Sequence, residues 1–376
     1  MSQKSTANIL VKNLLLKPLS LAYGAVTAAR NKMFDYGVLQ QREFDIPVIV
    51  VGNIAVGGTG KTPHTEYLVD LLRGKYHIAV ISRGYNRRTK GFQLATPDST
   101  ARQIGDEPYQ IYRKFADAGV VVAVCEDRCE GIDRVRELHP EINLIILDDA
   151  FQHRYVKPTV SIVLTEQSRP VYDDEMLPAG RLREGSGALR RADIVVVTKC
   201  PDDMKQIDYR IFTKNMGLEP WQKLFFSKYA YGTLTPLFPE DATWAPDLDT
   251  MSEHDTVVAI AGVANPRPFI KHLRSSRAKI RGLLFGDHHN FTTDDLRMML
   301  EKIKTSPDPS RAIIATTEKD AMRLRDIPGL PKSLRRRIFY IPVSVKLIPN
   351  ITDGNQAGSR EFAEQLIKLI ASGGQH

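Results

Sequence analysis

The residues best suited to chemistry form one run, Ala55-Val56-Gly57-Gly58-Thr59-Gly60-Lys61-Thr62, directly after the apolar stretch Val48-Ile49-Val50-Val51. Glycines at this spacing let backbone N–H groups converge on phosphate oxygens, and a helix starting at Lys61 adds the positive potential of its N-terminus. A lysine closing such a loop reaches the β- and γ-phosphates, and the next hydroxyl, here Thr62, is a ligand for Mg²⁺. The general pattern begins with glycine where this chain has Ala55, but the Gly60-Lys61-Thr62 end and the flanking strand and helix patterns outweigh that departure. The run predicts binding of ATP or GTP.

Acids follow at two other strand or helix ends. Leu144–Leu147 runs into Asp148-Asp149, the usual position of a Mg²⁺-organising carboxylate beside a phosphate loop, with Asp148 the better candidate; the other reading is a solvated turn. In Gly105-Asp106-Glu107-Pro108 the acids stand at a helix start, where aspartate is commonly just an N-cap. Transfer to an alcohol also needs a group to accept or orient the hydroxyl proton, and Asp106 is positioned for that task. Gly286-Asp287-His288-His289-Asn290-Phe291 follows the strand-like Leu283–Phe285 and either faces a cleft or is structural; two histidines without a third ligand make a weak metal site. Ser82-Arg83-Gly84-Tyr85-Asn86-Arg87-Arg88 and the group Arg181, Arg183, Arg190 and Arg191 offer guanidinium forks for a nucleotide or phosphorylated substrate. Arg335 to Arg337 reads as a solvated or membrane-facing stretch.

The elements that must hold these groups are legible from period. Val48–Val51, Ile78–Ser82, Val120–Val124, Leu144–Leu147, Val160–Leu164 and Ile194–Val197 are short β-branched runs separated by helix-length segments, which predicts a mostly parallel sheet with helices on both faces. The stretch 206–255 is richer in aromatics and proline and reads as a connector with extended strands. A second alternation begins at Val257–Ala261, with Asn265, Pro266 and Pro268 marking a helix start, further strands at Ile313–Ala315 and Ile338–Val345, and a last helix over Ser359–Ala371. The expected division is therefore 1–40 as an N-terminal amphipathic region, 41–205 as the phosphate-loop α/β domain, 206–255 as the connector and 256–376 as a smaller α/β domain.

Composition narrows the class. At 376 residues and 42% hydrophobic content the chain can bury more than one core, and its net charge of +8 favours an anionic partner. Three cysteines, Cys125, Cys129 and Cys200, fit neither a paired disulfide framework nor a four-ligand zinc site, so a reducing cytoplasm and ordinary packing are expected. Lys4, Lys12, Lys17, Arg30 and Lys32 precede the first acid, Asp35, among leucines and valines interrupted by Lys17 and Pro18. That segment is too broken to span a bilayer and lacks a signal-peptide cleavage site, which leaves a basic amphipathic helix for an anionic membrane surface, or a terminal helix packed on the domain. Thr198-Lys199-Cys200-Pro201-Asp202 places its acid one residue late for a guanine-reading motif, and no RNA-binding motif occurs.

Taken in order, Gly57-Gly58-Thr59-Gly60-Lys61-Thr62-Pro63, Ser82-Arg83-Gly84-Tyr85, Gly105-Asp106-Glu107-Pro108, Glu126-Asp127-Arg128, Asp148-Asp149-Ala150-Phe151-Gln152-His153-Arg154 and Leu177-Pro178-Ala179-Gly180-Arg181-Leu182-Arg183-Glu184 resemble the tetraacyldisaccharide 4'-kinase family of lipid A biosynthesis. The resemblance implies transfer of the ATP γ-phosphate to the 4'-hydroxyl of an acylated glucosamine disaccharide 1-phosphate, at the cytoplasmic face of a Gram-negative inner membrane. It implies Asp106 as catalytic base, assisted by His288 (or its neighbour His289), and places Asp148, Arg183 and Glu184 in the Mg²⁺ and phosphate site with Lys61 and Thr62. Arg83, Tyr85, Arg128, Asp149 and His153 are expected to meet the lipid. ATP and Mg²⁺ are the implied cofactors, with no nucleic acid and no obligate protein partner. Ala150 replaces the family's usual glycine and Gly185 its common proline, departures that touch local backbone. The alternative is a phosphate-loop kinase or ligase-type NTPase for a soluble metabolite, which leaves the cationic apolar N-terminus unexplained.

Overall fold

Strand runs that are apolar on both faces need helices on both faces, and the computed structural model, which describes residues 15–242, 244, 246–349 and 358–373, supplies them. The strands are β1 (Val48–Asn53), β2 (Ile78–Ser82), β3 (Gln93–Leu94), β4 (Val121–Val124), β5 (Leu144–Asp148), β6 (Val160–Glu166), β7 (Ile194–Thr198), β8 (Lys223–Tyr231), β9 (Thr235–Pro236), β10 (Thr256–Ala261), β11 (Lys279–Leu284), β12 (Ala312–Thr317), β13 (Ile338–Ile341) and β14 (Val343–Ile348). The longer helices are α1 (Lys17–Asp35), α2 (Lys61–Leu72), α3 (Asp106–Phe115), α4 (Arg128–Leu138), α5 (Gln206–Met216), α6 (Arg267–Leu273), α7 (Thr293–Lys304), α8 (Glu318–Arg325) and α9 (Gly358–Ala371).

The first sheet has nine strands in the order β14-β8-β7-β6-β1-β5-β2-β4-β3, parallel from β8 to β4 and antiparallel at both edges. Along β1, Val48 and Val50 face the core shared with α4 and α5, whereas Ile49 and Val51 face the core shared with α2, α3 and α9. The second sheet has the order β11-β10-β12-β13-β9, parallel except for β9. One of its faces is covered by α6, and the other by α7 and α8. Ala101, Ile104 and Tyr109, from the segment preceding α3 and from α3 itself, enter the latter core beside Val258, Ile260 and Ile314. The two sheets are thus joined by shared apolar packing as well as by the chain. The fold is mixed α/β with large, parallel-rich sheets.

Two strands cross the linear division expected from sequence. β8, within the stretch read as a connector, extends the first sheet from β7, and α5 precedes it there. The single strand expected over Ile338–Val345 is two, because Pro342 intervenes and has no N–H to donate to a ladder. β13 stays in the second sheet, while β14 returns to pair with β8. α9 returns with it, packing Phe362, Leu366, Leu369 and Ile370 against Leu68, Leu72 and Ile111.

α1 begins with Pro18 in its first turn and is docked by polar contacts rather than by a deep apolar face. Ser20 donates to the Met176 carbonyl at 3.0 Å, Arg30 to the Gln152 carbonyl at 3.3 Å, and Asp35 pairs with Arg154 at 2.7 Å. Leu15, Leu19, Leu21, Val26 and Met33 are exposed. Among the described residues no helix is long and apolar enough to cross a membrane. Residues 1–14, which carry Lys4, Lys12 and the first leucines of the expected amphipathic region, lie outside those described.

Candidate active site

The loop from Ala55 to Gly60 leaves β1 and turns into α2 through Gly60, whose φ of 93° is left-handed. A Cβ there would also stand 2.4 Å from the Tyr229 hydroxyl, so glycine is required by both conformation and space. The loop is braced from below. Asn53 donates to the Thr59 hydroxyl at 2.8 Å, Thr198 donates to the Thr59 carbonyl at 2.8 Å, and Nδ1 of buried His64 donates to the Gly60 carbonyl at 2.7 Å. That last bond leaves His64 Nε2 to accept from Ser227 at 2.9 Å. Burial, above all, lowers His64 to about 4, so the ring is a neutral strut. Alongside, Val56 donates to the Arg181 carbonyl at 2.8 Å and Arg183 N donates to the Ile54 carbonyl at 2.7 Å, which lays Arg181–Arg183 against the phosphate loop.

Register sets the acids. Val51 of β1 pairs with Asp148 of β5, so Asp148 ends its strand level with the start of the loop. Its carboxylate accepts from Thr65 at 2.9 Å and is pushed up to about 6, first by burial and then by the charge of Asp149, against Lys61; Glu107 adds to the rise. Asp149, at a φ of 49°, gathers two cations on one oxygen: Lys61 Nζ at 3.6 Å and Arg183 Nη1 at 3.3 Å. Glu184 instead turns to α1, where its Oε2 accepts from Asn31 at 3.1 Å and from Arg191. Glu184 is therefore engaged on the α1 side, in a recess lined also by Tyr23, Thr27 and Arg30.

Asp106 opens α3 after Gly105, whose φ of 97° and close approach to Gly84 and the Tyr85 carbonyl, each 3.2 Å from a would-be Cβ, fold the Ser82–Arg88 loop onto the helix start. From the second sheet's side two side chains meet the Asp106 carboxylate. Arg323 donates through Nε at 2.8 Å and Nη2 at 2.5 Å, and His288 Nδ1 lies 3.3 Å away. The His288 ring is flanked by two cations, Lys319 Nζ at 3.2 Å from Nε2 and Arg323 Nη2 at 3.2 Å from Nδ1. Burial is the largest influence on Asp106 and pushes it up, but the hydrogen bonds from His288 and Arg323 and the charges of Arg323 and Lys319 outweigh it, so the carboxyl sits below its ordinary value. Asp106 is thus ionised at neutral pH.

His289 goes elsewhere, to Asp295 at 2.9 Å in the N-terminal cap of α7. Tyr85 is exposed and lies edge-on to His288 with centroids 5.7 Å apart, and Arg83 is exposed beside it in sequence. Arg128 is buried and spends Nη1 on the carbonyls of Cys125 and Glu126, at 3.3 and 2.9 Å; His153 Nε2 accepts from the Arg128 N–H at 3.4 Å. In the third arginine cluster Arg335 is tied to Glu240 and Asp241, at 2.6 and 2.8 Å.

Sequence reading missed Lys319, Asp320 and Arg323. Asp320 is fully buried, accepts from Thr317, Gly262 N–H and Arg323 at 2.7, 2.9 and 3.0 Å, and so aims the guanidinium at Asp106. A signal was present: Thr317-Glu318-Lys319-Asp320 follows the strand Ile313–Ala315, at the carboxyl end where α/β sheets bind ligands. What the sequence could not supply was that the second sheet presents that edge to α3.

The comparisons agree over nearly the whole chain. A sequence model described as tetraacyldisaccharide-1-P 4'-kinase matches residues 12–356. A tetraacyldisaccharide 4'-kinase of Bacteroides thetaiotaomicron is 47% identical over 345 residues, covering 90% of each chain, and one of Phocaeicola vulgatus is 44% identical over 363 residues, covering 94% of this chain and 98% of that one. The crystal structure of LpxK from Aquifex aeolicus in complex with ATP superposes with a TM-score of 0.71 at 26% identity, covering 96% of this chain and 99% of that one. With its phosphate loop, its acids and its two facing sheets accounted for, the chain belongs to the tetraacyldisaccharide-1-P 4'-kinase family.

Proposed function

We propose that this protein transfers the γ-phosphate of ATP to the 4'-hydroxyl of tetraacyldisaccharide 1-phosphate, forming lipid IVA, at the cytoplasmic face of the inner membrane. One observation carries the assignment of roles. An ionised carboxylate, Asp106, is held by groups from the second sheet, while its neighbour Glu107 is close enough to Asp148 to raise it beside the phosphate loop. In this reading Asp106 is the general base, and it serves the triphosphate held by the loop.

The amides of Gly57, Gly58 and Gly60, with Lys61 and Arg183, grip the triphosphate. Asp106 takes the proton of the 4'-hydroxyl as its oxygen attacks the γ-phosphorus and ADP departs; Arg323 and His288 fix the direction of the carboxylate. Thr62 and Asp148 fit Mg²⁺, because Asp148 is a raised, buried acid beside a second acid, a pairing that a divalent cation relieves. Bound there, Mg²⁺ would neutralise charge on the β- and γ-oxygens. Glu184, first expected as a third ligand, is assigned to holding Arg191 and Asn31 under α1. Tyr85, exposed and edge-on to His288, and Arg83, exposed on the same loop, are assigned to the disaccharide, as are Arg128 and His153, which contact each other. The exposed apolar residues of α1, with Lys17 and Lys32 on the same helix, support docking on an anionic bilayer beside the recess they border.

The test is ADP release from Mg·ATP with and without detergent-dispersed disaccharide 1-phosphate. Stimulation by the lipid together with a 4'-phosphorylated product is expected; ATP turnover that ignores the lipid but responds to a soluble alcohol would overturn the substrate assignment.

A further inference from the structure

At the start of α4, Asp127, Cys129 and His153 each bring one ligand atom to within 4.8 Å of the other two. We propose that these residues form a binding site for a thiophilic divalent cation of the Zn²⁺ class. Oxygen, sulfur and imidazole nitrogen are the three ligand types such an ion takes, with water completing four-coordination. Tetrahedral bonds of about 2.0–2.3 Å would set the ligand atoms about 3.3–3.8 Å apart, so closure needs inward movement on the order of 1 Å, within reach of side-chain torsion.

Each ligand is held near the point of convergence. Asp127 caps α4 through Oδ1, accepting from Cys129 N–H at 2.8 Å and Glu130 N–H at 3.4 Å, so its carboxylate is fixed in place over the helix start. Cys129 Sγ has one long contact, 3.7 Å to the Tyr155 carbonyl. His153 Nε2 stands 4.0 Å from Asp127 Oδ1, too far for a hydrogen bond, and accepts only a 3.4 Å contact from the Arg128 N–H.

Two neighbouring cations are directed elsewhere. Arg42 forks onto Asp133 at 2.5 and 2.7 Å, and Arg128 turns its guanidinium to two backbone carbonyls. Cys125, although near in sequence, is buried with Sγ 3.7 Å from Glu130, and Cys200 is buried in the first core. Cys129 is the partly exposed thiol.

The experiment titrates Co²⁺, as a spectroscopic stand-in for Zn²⁺, into the chelator-treated full-length protein. A sulfur-to-cobalt charge-transfer band saturating at one equivalent and displaced by Zn²⁺ is expected. Cys129→Ser should abolish the band, His153→Gln should weaken binding about tenfold or more, and Cys125→Ser should leave both unchanged. Absence of the band in the unaltered protein, or its survival in Cys129→Ser, overturns the site. Because the readout is direct binding, it stands or falls independently of the lipid kinase reading.

Discussion

At the scale of single residues, the notable arrangement is a proposed base, Asp106, that is made available by its neighbours rather than by isolation. Asp106 receives Arg323 through two nitrogens and His288 through one, so it remains an anion despite burial. Asp106→Asn should lower kcat by about 10²–10⁴ with KM changed little, as expected for loss of proton transfer; a variant with near-normal kcat would refute the base assignment. Arg323 gives a sharper test. Removing a cation that holds a carboxylate down must raise that carboxylate, so in Arg323→Ala the low-pH limb of the kcat/KM profile should move to higher pH. Arg323→Lys should restore this incompletely, since one ammonium cannot reproduce a two-nitrogen fork. An unmoved limb would mean that Arg323 is only packing.

At the scale of elements, three helices that carry residues of the proposed site at or near their starts are tied by one lysine. Lys114 of α3 lies 2.5 Å from Glu66 of α2 and 3.8 Å from Glu318 of α8; Gln110 also donates to Glu66 at 2.7 Å, and Glu318 accepts from the Val343 N–H at 3.2 Å. Two buried acids share that single cation. Burial, and then the charge of Glu318, raises Glu66 above its ordinary range, against Lys114 and Gln110. A raised acid binds more protons folded than unfolded, so this group makes stability fall as pH climbs from the ordinary glutamate value through the raised one. Glu66→Gln should flatten that part of the Tm-against-pH curve. Lys114→Met should cost about 3 kcal/mol in denaturant unfolding at neutral pH, because it leaves both acids without their cation. α1 is the element that meets the membrane in the proposed reading. Leu21→Glu combined with Val26→Glu should reduce sedimentation with anionic vesicles while activity on detergent-dispersed lipid stays within about twofold, the two positions being exposed; unchanged sedimentation would remove α1 from membrane docking.

At the scale of the whole molecule, the chain returns to the first sheet after building the second. β14 and α9 leave the second sheet's neighbourhood and complete the first sheet and its core. Phe362, Leu366, Leu369 and Ile370 are buried there, and their combined contribution is on the order of 5–10 kcal/mol, comparable with the net stability of a domain. Deleting everything from Val343 should therefore unfold the phosphate-loop half, seen as loss of soluble protein and of ATP binding, although that half's motifs all lie earlier. Retained ATP binding by the truncated chain would show that the first sheet is self-sufficient.

The strand runs and the phosphate loop were readable because each is a local consequence of period and residue type: apolar alternation makes a buried strand, and glycines before a lysine make a turn into a helix. Asp106 and His288 were nameable as candidates because acids at a helix start and a histidine after a strand are local signals too. What local pattern could not carry is adjacency across the chain. That Arg323 and Lys319 close on Asp106, that Glu184 turns to Asn31 and Arg191, and that β14 pairs with β8 depend on how two sheets pack through Ala101, Ile104 and Tyr109. Sequence determined the elements and the chemical inventory; tertiary structure alone decided which charges meet, because electrostatic pairing acts over a few ångströms in space whatever the distance along the chain.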